Sequence, residues 1–250
     1  MISFTRAVAG ACAALMLLAA ASVRAEPAAD EKRSEFERMI RDYLAGHPEA
    51  IQEALDTLAA RKAAAKAEQQ KAAIKANGRE LFSSKRQVTL GNRAGDVTLV
   101  EFFDYNCGYC KRALADLLEL MKSDAQLKVV LKEYPILGPD SVEAARVAVA
   151  VRMQDAGARY LAFHRALLEN RGRNDKARAL AAAQEAGLDM ARLERDLASE
   201  EVTKSIDEST RLGKALAING TPGYVVGDRV IIGALGEQVL KEGVAAARNQ

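Results

Sequence analysis

The chain has 250 residues, with 36 Lys and Arg against 34 Asp and Glu, two histidines and three cysteines. That length fits one large domain plus an appendage, and the near-balanced charge argues against a partner held by net attraction, such as nucleic acid or an anionic membrane. Residues 1–25 read as a secretory signal peptide. Arg6 supplies the positive start, Ala7 to Ala21 is an apolar run, and Val23-Arg24-Ala25 ends in a small residue. The run is short and weakly apolar for a spanning helix. Cleavage after Ala25 would remove Arg6 and Arg24, taking Lys and Arg from 36 to 34 and leaving the mature chain formally neutral. It would also remove Cys12, leaving Cys107 and Cys110 in an exported and hence oxidising setting.

Residues 26–80 read as a helical oligomerisation segment and linker. Phe36, Ile40, Tyr43 and Leu44 share one helical face, Gly46 breaks the pattern, and Pro48 is placed to start a second helix. Ile51, Leu55 and Leu58 continue the stripe, which fades into a polar, strongly helix-forming run that Asn77-Gly78 is expected to end. Apolar faces this small do not offset the ordering entropy alone, so self-association through residues 30–75 is expected.

The pattern turns to mixed α/β in residues 81–250. Val88-Thr89-Leu90 and Val97–Phe103 read as strands, and the stretch after Cys107 reads as a helix with Leu114, Leu117, Leu118 and Met121 inward. Leu127–Tyr134 is a further strand. Helices follow at about Ser141–Met153, Arg159–Leu168, Lys176–Ala186, Met190–Ser199 and on to Leu216. Tyr224-Val225-Val226, Gly227-Asp228 and Val230-Ile231-Ile232 form a hairpin signal, and a closing helix runs from Gly236 to about Ala247. This order is that of an α/β thioredoxin fold with an inserted helical domain at about 141–216, preceded by the N-terminal helices.

Cys107-Gly108-Tyr109-Cys110 joins a strand to a helix N-terminus, where free N–H groups and the macrodipole favour a thiolate. Cys107, the first sulfur, is expected as an exposed nucleophile, with Cys110 more buried and placed to resolve a mixed disulfide. Gly108 would let a partner chain approach, and Tyr109 offers an apolar surface with a polar tip. Zinc needs about four ligands, and the mature chain supplies only these two cysteines, His47 and His164, so no metal site is expected. A purely structural disulfide over so short a loop would bring little. Glu101 interrupts an apolar strand, so a buried carboxyl with a raised pKa is expected there, able to move a proton to or from Cys110. Thr221-Pro222 precedes the Tyr224 strand, and Thr221 there could present its backbone to an extended substrate chain.

The run Val100–Cys110, Gly220-Thr221-Pro222-Gly223-Tyr224 and the helical insertion resemble the DsbA-like thiol–disulfide oxidoreductases of the bacterial cell envelope, over about residues 86–247. The resemblance implies Cys107 as nucleophile, Cys110 as resolving cysteine, Glu101 as buried acid and Pro222 as a cis proline. Gly108, Tyr109 and Thr221 would then contact substrate. No cofactor is implied beyond the redox-active Cys107–Cys110 pair. Phe36–Leu44 followed by His47–Leu55 resembles the N-terminal segment of the ScsC-like and Com1-like subgroup, which can mediate trimerisation and contains isomerases and members linked with copper tolerance.

Strongly oxidising members carry Cys-Pro-His-Cys, whose histidine stabilises the thiolate. Gly108-Tyr109 replaces that pair, as in dimeric periplasmic isomerases, so a less stabilised thiolate and a less oxidising pair are expected. The resulting expectation is a periplasmic homotrimeric isomerase or reductase acting on exported proteins and kept reduced by a membrane thiol partner. The alternatives are a dithiol oxidase, or a copper-binding envelope protein using the same thiolates. Against the last stands the lack of a Met/His-rich tract beside Met39, Met121, Met153 and Met190.

Overall fold

Strand β2, Val97–Phe103, carries apolar side chains on both faces because both faces of its sheet are covered. The computed structural model describes residues 27–249, and the expected signal peptide at residues 1–25 lies outside them. Five strands lie in the order β1-β3-β2-β4-β5, with β1 at Val88–Gly91, β3 at Leu127–Glu133, β4 at Gly223–Val226 and β5 at Arg229–Ile232. Strands β2 and β3 are parallel, and the other neighbours are antiparallel. Gly227, with φ of 57°, makes the tight β4–β5 turn that a side chain would strain.

Two compact units divide the chain, Met1–Ala63 and Ala64–Gln250. In the first, helix α1 runs Pro27–Gly46, and α2, Pro48–Ser83, begins as Pro48 leads one to expect. Phe36, Met39, Ile40, Tyr43, Ile51, Leu55 and Leu58 are all exposed on these helices.

The second unit starts at Ala64, earlier than the boundary near residue 81 expected from the sequence. Helix α2 continues through Asn77-Gly78 instead of stopping there. The reason is tertiary: Ile74 and Leu81, two turns apart, are buried on the sheet with Val100, Phe102, Val130 and Val225. Gln70 donates to the Leu216 carbonyl at 2.9 Å. Lys128 and Lys132 reach from β3 to the last turn of α2, donating to the carbonyls of Phe82 at 2.8 Å and Glu80 at 2.7 Å. Cationic donors at a helix C-terminus satisfy orphan carbonyls and oppose the negative end of the dipole.

The opposite sheet face holds Leu99, Phe103, Val129, Leu131, Tyr224 and Val226 against helix α3, Gly108–Ser123, and the helical insertion. The insertion comprises α4 (Pro139–Gln154), α5 (Ala158–Leu168), α6 (Lys176–Glu185), α7 (Met190–Leu197) and α8 (Glu200–Ala215); α9, Glu237–Arg248, closes the fold. The inner face of α3 is Ala113, Leu114, Leu117 and Leu120, with Leu118 and Met121 only partly buried at its margin.

Candidate active site

Because side chains alternate along a strand, Glu101 lies on the same face as Leu99 and Phe103, the face that packs on α3. After β2 the chain turns through Asp104, whose buried carboxylate ties the loop together. It accepts from Asn106 N at 2.8 Å and from Ile136 N and Leu137 N at 2.9 and 3.0 Å. Cys107 N donates to the Asp104 carbonyl at 3.0 Å, leaving Cys107 as the N-cap of α3. Asn106 fixes the loop to the insertion. Its side chain donates to the Asn174 carbonyl at 3.0 Å and to Ser141 Oγ at 3.2 Å, and accepts from Asn174 N at 2.8 Å.

Cys107 is 6% exposed, contrary to the exposed nucleophile expected. The Thr221–Pro222 loop covers it, and the Cys107 thiol donates to the Thr221 carbonyl at 3.1 Å. That carbonyl is therefore occupied while the thiol is protonated, whereas a thiolate has no proton to donate and would release it. The Thr221–Pro222 peptide bond is cis. The Thr221 hydroxyl is buried beside the sulfur but short of ordinary hydrogen-bond geometry, so its pull on the thiolate is secondary.

The two thiols have opposed electrostatics. Cys107 is pulled down to about 5, first by hydrogen bonding from Cys110, against a desolvation cost, and then by the Thr221 side chain and the Cys110 and Tyr109 N–H groups. Burial holds the Cys110 thiol far above its ordinary range, with the Cys107 sulfur and the Glu101 charge adding to the effect. The thiolate is thus stabilised without a histidine between the cysteines. The Cys110 thiol and the N–H groups of the helix N-terminus take that role, with the nearby Thr221 hydroxyl assisting.

Glu101 is 2% exposed, as expected, and desolvation pushes its carboxyl up to about 8. Its cross-strand neighbour on β4 is Tyr224. The Tyr224 hydroxyl faces the carboxyl without reaching ordinary hydrogen-bond geometry, and its interaction only partly offsets the burial. Tyr224, Asp104 and Asn106 stand inside the runs that carry the family resemblance, but the sequence assigns them no role, because their contacts depend on register and on loops far apart in the chain.

Gly108 is open: a Cβ built there meets nothing within 4 Å. Tyr109 is 58% exposed, with the Arg112 guanidinium 4.3 Å from its ring centre. His164 is buried, 3.2 Å from the Tyr105 hydroxyl, and burial lowers it to about 3. His47 sits in the other compact unit. Among the described residues no cluster of three or more His, Cys, Asp or Glu could hold a metal ion, and no helix is long and apolar enough to cross a membrane.

The DSBA-like thioredoxin domain matches residues 98–245, and the copper resistance protein ScsC N-terminal domain matches residues 33–65. A thioredoxin-like oxidoreductase from Silicibacter pomeroyi is 42% identical, with 69% of this chain and 98% of that one covered and a TM-score of 0.66. Proteus mirabilis ScsC in a transitional conformation is 26% identical, covering 89% and 98%, with a TM-score of 0.65. A periplasmic thioredoxin-like protein from Salmonella enterica serovar Typhimurium is 27% identical, covering 69% and 96%, with a TM-score of 0.62. The chain spans about a quarter of one curated relative it matches, the Na(+)/H(+) antiporter NhaA 1 of Salinispora arenicola: 28% identity over 159 residues, 24% of that protein. Against the probable disulfide bond formation protein D of Bacillus cereus it is 22% identical and covers 75% of that protein. A match of this extent, laid over the strand–helix frame that carries Cys107 and Cys110, makes the chain a member of the DSBA-like thioredoxin-domain family, of the DsbA/ScsC thiol–disulfide oxidoreductase type.

Proposed function

We propose that this protein is a periplasmic thiol–disulfide oxidoreductase acting as an isomerase or reductase on exported cysteine-containing proteins. It works as a homotrimer joined through its N-terminal helices and is kept reduced by a membrane thiol partner. The opposed titration of the two thiols carries the chemical half of this reading: one sulfur is ionised at neutral pH and its neighbour is not. The Cys107 thiolate attacks one sulfur of a substrate disulfide. The S–S bond breaks, its electron pair leaves on the second substrate sulfur, and a Cys107–substrate disulfide forms. In isomerisation a substrate thiolate later attacks a substrate sulfur and expels Cys107, with no net redox change. In reduction Cys110 gives its proton to the Glu101 carboxylate and attacks Cys107 Sγ. The substrate thiolate is expelled and the Cys107–Cys110 disulfide remains, to be reduced by the partner. A carboxyl titrating at about 8 can both take and return that proton near neutrality.

The isomerase half rests on the exposed stripe of the first unit, because several copies around a cleft hold a misfolded chain by several contacts. A specific observation favours a second reading, dithiol oxidase: a thiolate titrating at about 5 stabilises the reduced form and makes the disulfide more oxidising. The test is reactivation of scrambled ribonuclease by the mature chain and by a version beginning at Ala64, where the second unit starts. The isomerase reading expects reshuffling by the first and loss of it in the second. Rapid oxidation of reduced ribonuclease by both, without reshuffling by either, would make the protein an oxidase.

A further inference from the structure

A pocket of about 700 Å³ lies behind α2 and a smaller one, about 480 Å³, adjoins the dithiol. The smaller is lined by both chain neighbours of Cys107, Asn106 and Gly108, and by Lys111, Leu137, Arg171, Gly172 and Arg173. Three of these side chains are cationic and none is acidic. The charges are not equally committed. Lys111 Nζ donates to the carbonyls of Asn170 and Gly172, each at 2.7 Å, so its charge holds the loop. Arg173 is paired with Asp140. Arg171 is exposed and makes no ion pair among the described residues.

The loop that carries Arg171 is also held in place. Asn170 donates to Asn174 Oδ1 at 2.8 Å, and Gly172 N donates to Asn170 Oδ1 at 3.2 Å. Asn174 in turn donates through its side chain to the carbonyls of Tyr105 at 2.7 Å and Leu167 at 2.9 Å, besides its exchange with Asn106. The loop that bears Arg171 is thereby anchored beside the nucleophile through the side chain of Asn106, the residue preceding it, while the Arg171 guanidinium itself stays open to a ligand. A held loop that presents an uncommitted cation can select by charge without ordering its own backbone.

We propose that this cationic pocket is a subsite for an acidic side chain close to the reacting cysteine of the substrate polypeptide, with Arg171 as its specificity-determining residue. Leu137 offers the stem of that side chain an apolar wall, and the open face at Gly108 lets the substrate backbone approach. The assignment rests on the thiol–disulfide reading above and names the substrate class that reading leaves open.

The test uses the full mature chain, reduced, and two disulfide-linked reporter peptides that differ only in Glu or Lys two residues from the cysteine. The second-order rate of exchange is followed at low and high salt. The Glu peptide is expected to react at least about fivefold faster at low salt, with the preference shrinking as salt screens it. Arg171→Ala should abolish the preference by slowing the Glu peptide to the rate of the Lys peptide, and Arg171→Glu should reverse it. Equal rates for the two peptides, or a preference that survives Arg171→Glu, would overturn the subsite. Absence of exchange with every peptide would instead overturn the oxidoreductase reading beneath it.

Discussion

At Glu101 a strand position on a buried face keeps a carboxyl protonated near neutrality, against the partial pull of the facing Tyr224 hydroxyl. Burial raises its pKa from 4.5 to about 8, so the folded protein holds a proton that the unfolded chain releases across that window. Stability therefore falls as pH rises from about 4.5, and the full cost is present above about 8. Glu101→Gln removes the titration. Urea denaturation of the reduced variant is expected to show no such fall, with a gain on the order of 3 kcal/mol over the parent at neutral pH. Release of mixed disulfides by Cys110 should slow by roughly 10²-fold, because the proton acceptor is gone. A parent and a variant with the same pH slope would show that another group titrates. That Glu101 would be buried was legible, since a lone charge inside an apolar strand has few other meanings. Its facing partner Tyr224 was not, because pairing across β2 and β4 joins residues more than a hundred positions apart.

Along the elements, what was legible was whatever depends on local pattern. The seven-residue strand from Val97 to Phe103, the Gly227-Asp228 turn and the break at Gly46 before Pro48 all stand where periodicity and turn chemistry place them. The end of α2 was misread for the same reason. Asn77-Gly78 is a stop signal locally, but Ile74 and Leu81 reach the sheet and Lys128 and Lys132 hold the final carbonyls, so packing overrides propensity. Lys132 is fully buried, and it shares its charge with Glu208 at 3.0 Å. The last turns of α2 thus belong to the catalytic unit's core, and Leu81→Ala should show it. Removing a fully buried leucine at that seam is expected to cost about 3 kcal/mol by chemical denaturation. A loss below about 1 kcal/mol would mean that the helix end is loosely attached and that the core closes without it.

For the molecule as a whole, the first unit poses the plainest energetic problem. No side chain from residue 30 to 63 is buried, although the two helices there carry Phe36, Met39, Ile40, Tyr43, Ile51, Leu55 and Leu58. Helices without a buried face do not offset the entropy of ordering themselves, and an apolar stripe left in water is an unspent driving force. In the proposed assembly, copies of the same stripe would cover each other with closed symmetry. Tyr43→Glu combined with Leu55→Glu places charges in the middle of that stripe and leaves the sequence of the second unit intact. Sedimentation of the mature chain is expected to give three chains per particle, and the double variant one. Its exchange with a small peptide disulfide should match the parent, because the dithiol and its loops are unchanged. Its reshuffling of scrambled ribonuclease should fall at least about tenfold, since a lone dithiol loses the effective concentration that neighbouring copies supply. A variant that stays assembled would remove the stripe as the interface. One that dissociates yet still reshuffles at the parental rate would show that the isomerase chemistry belongs to the single chain.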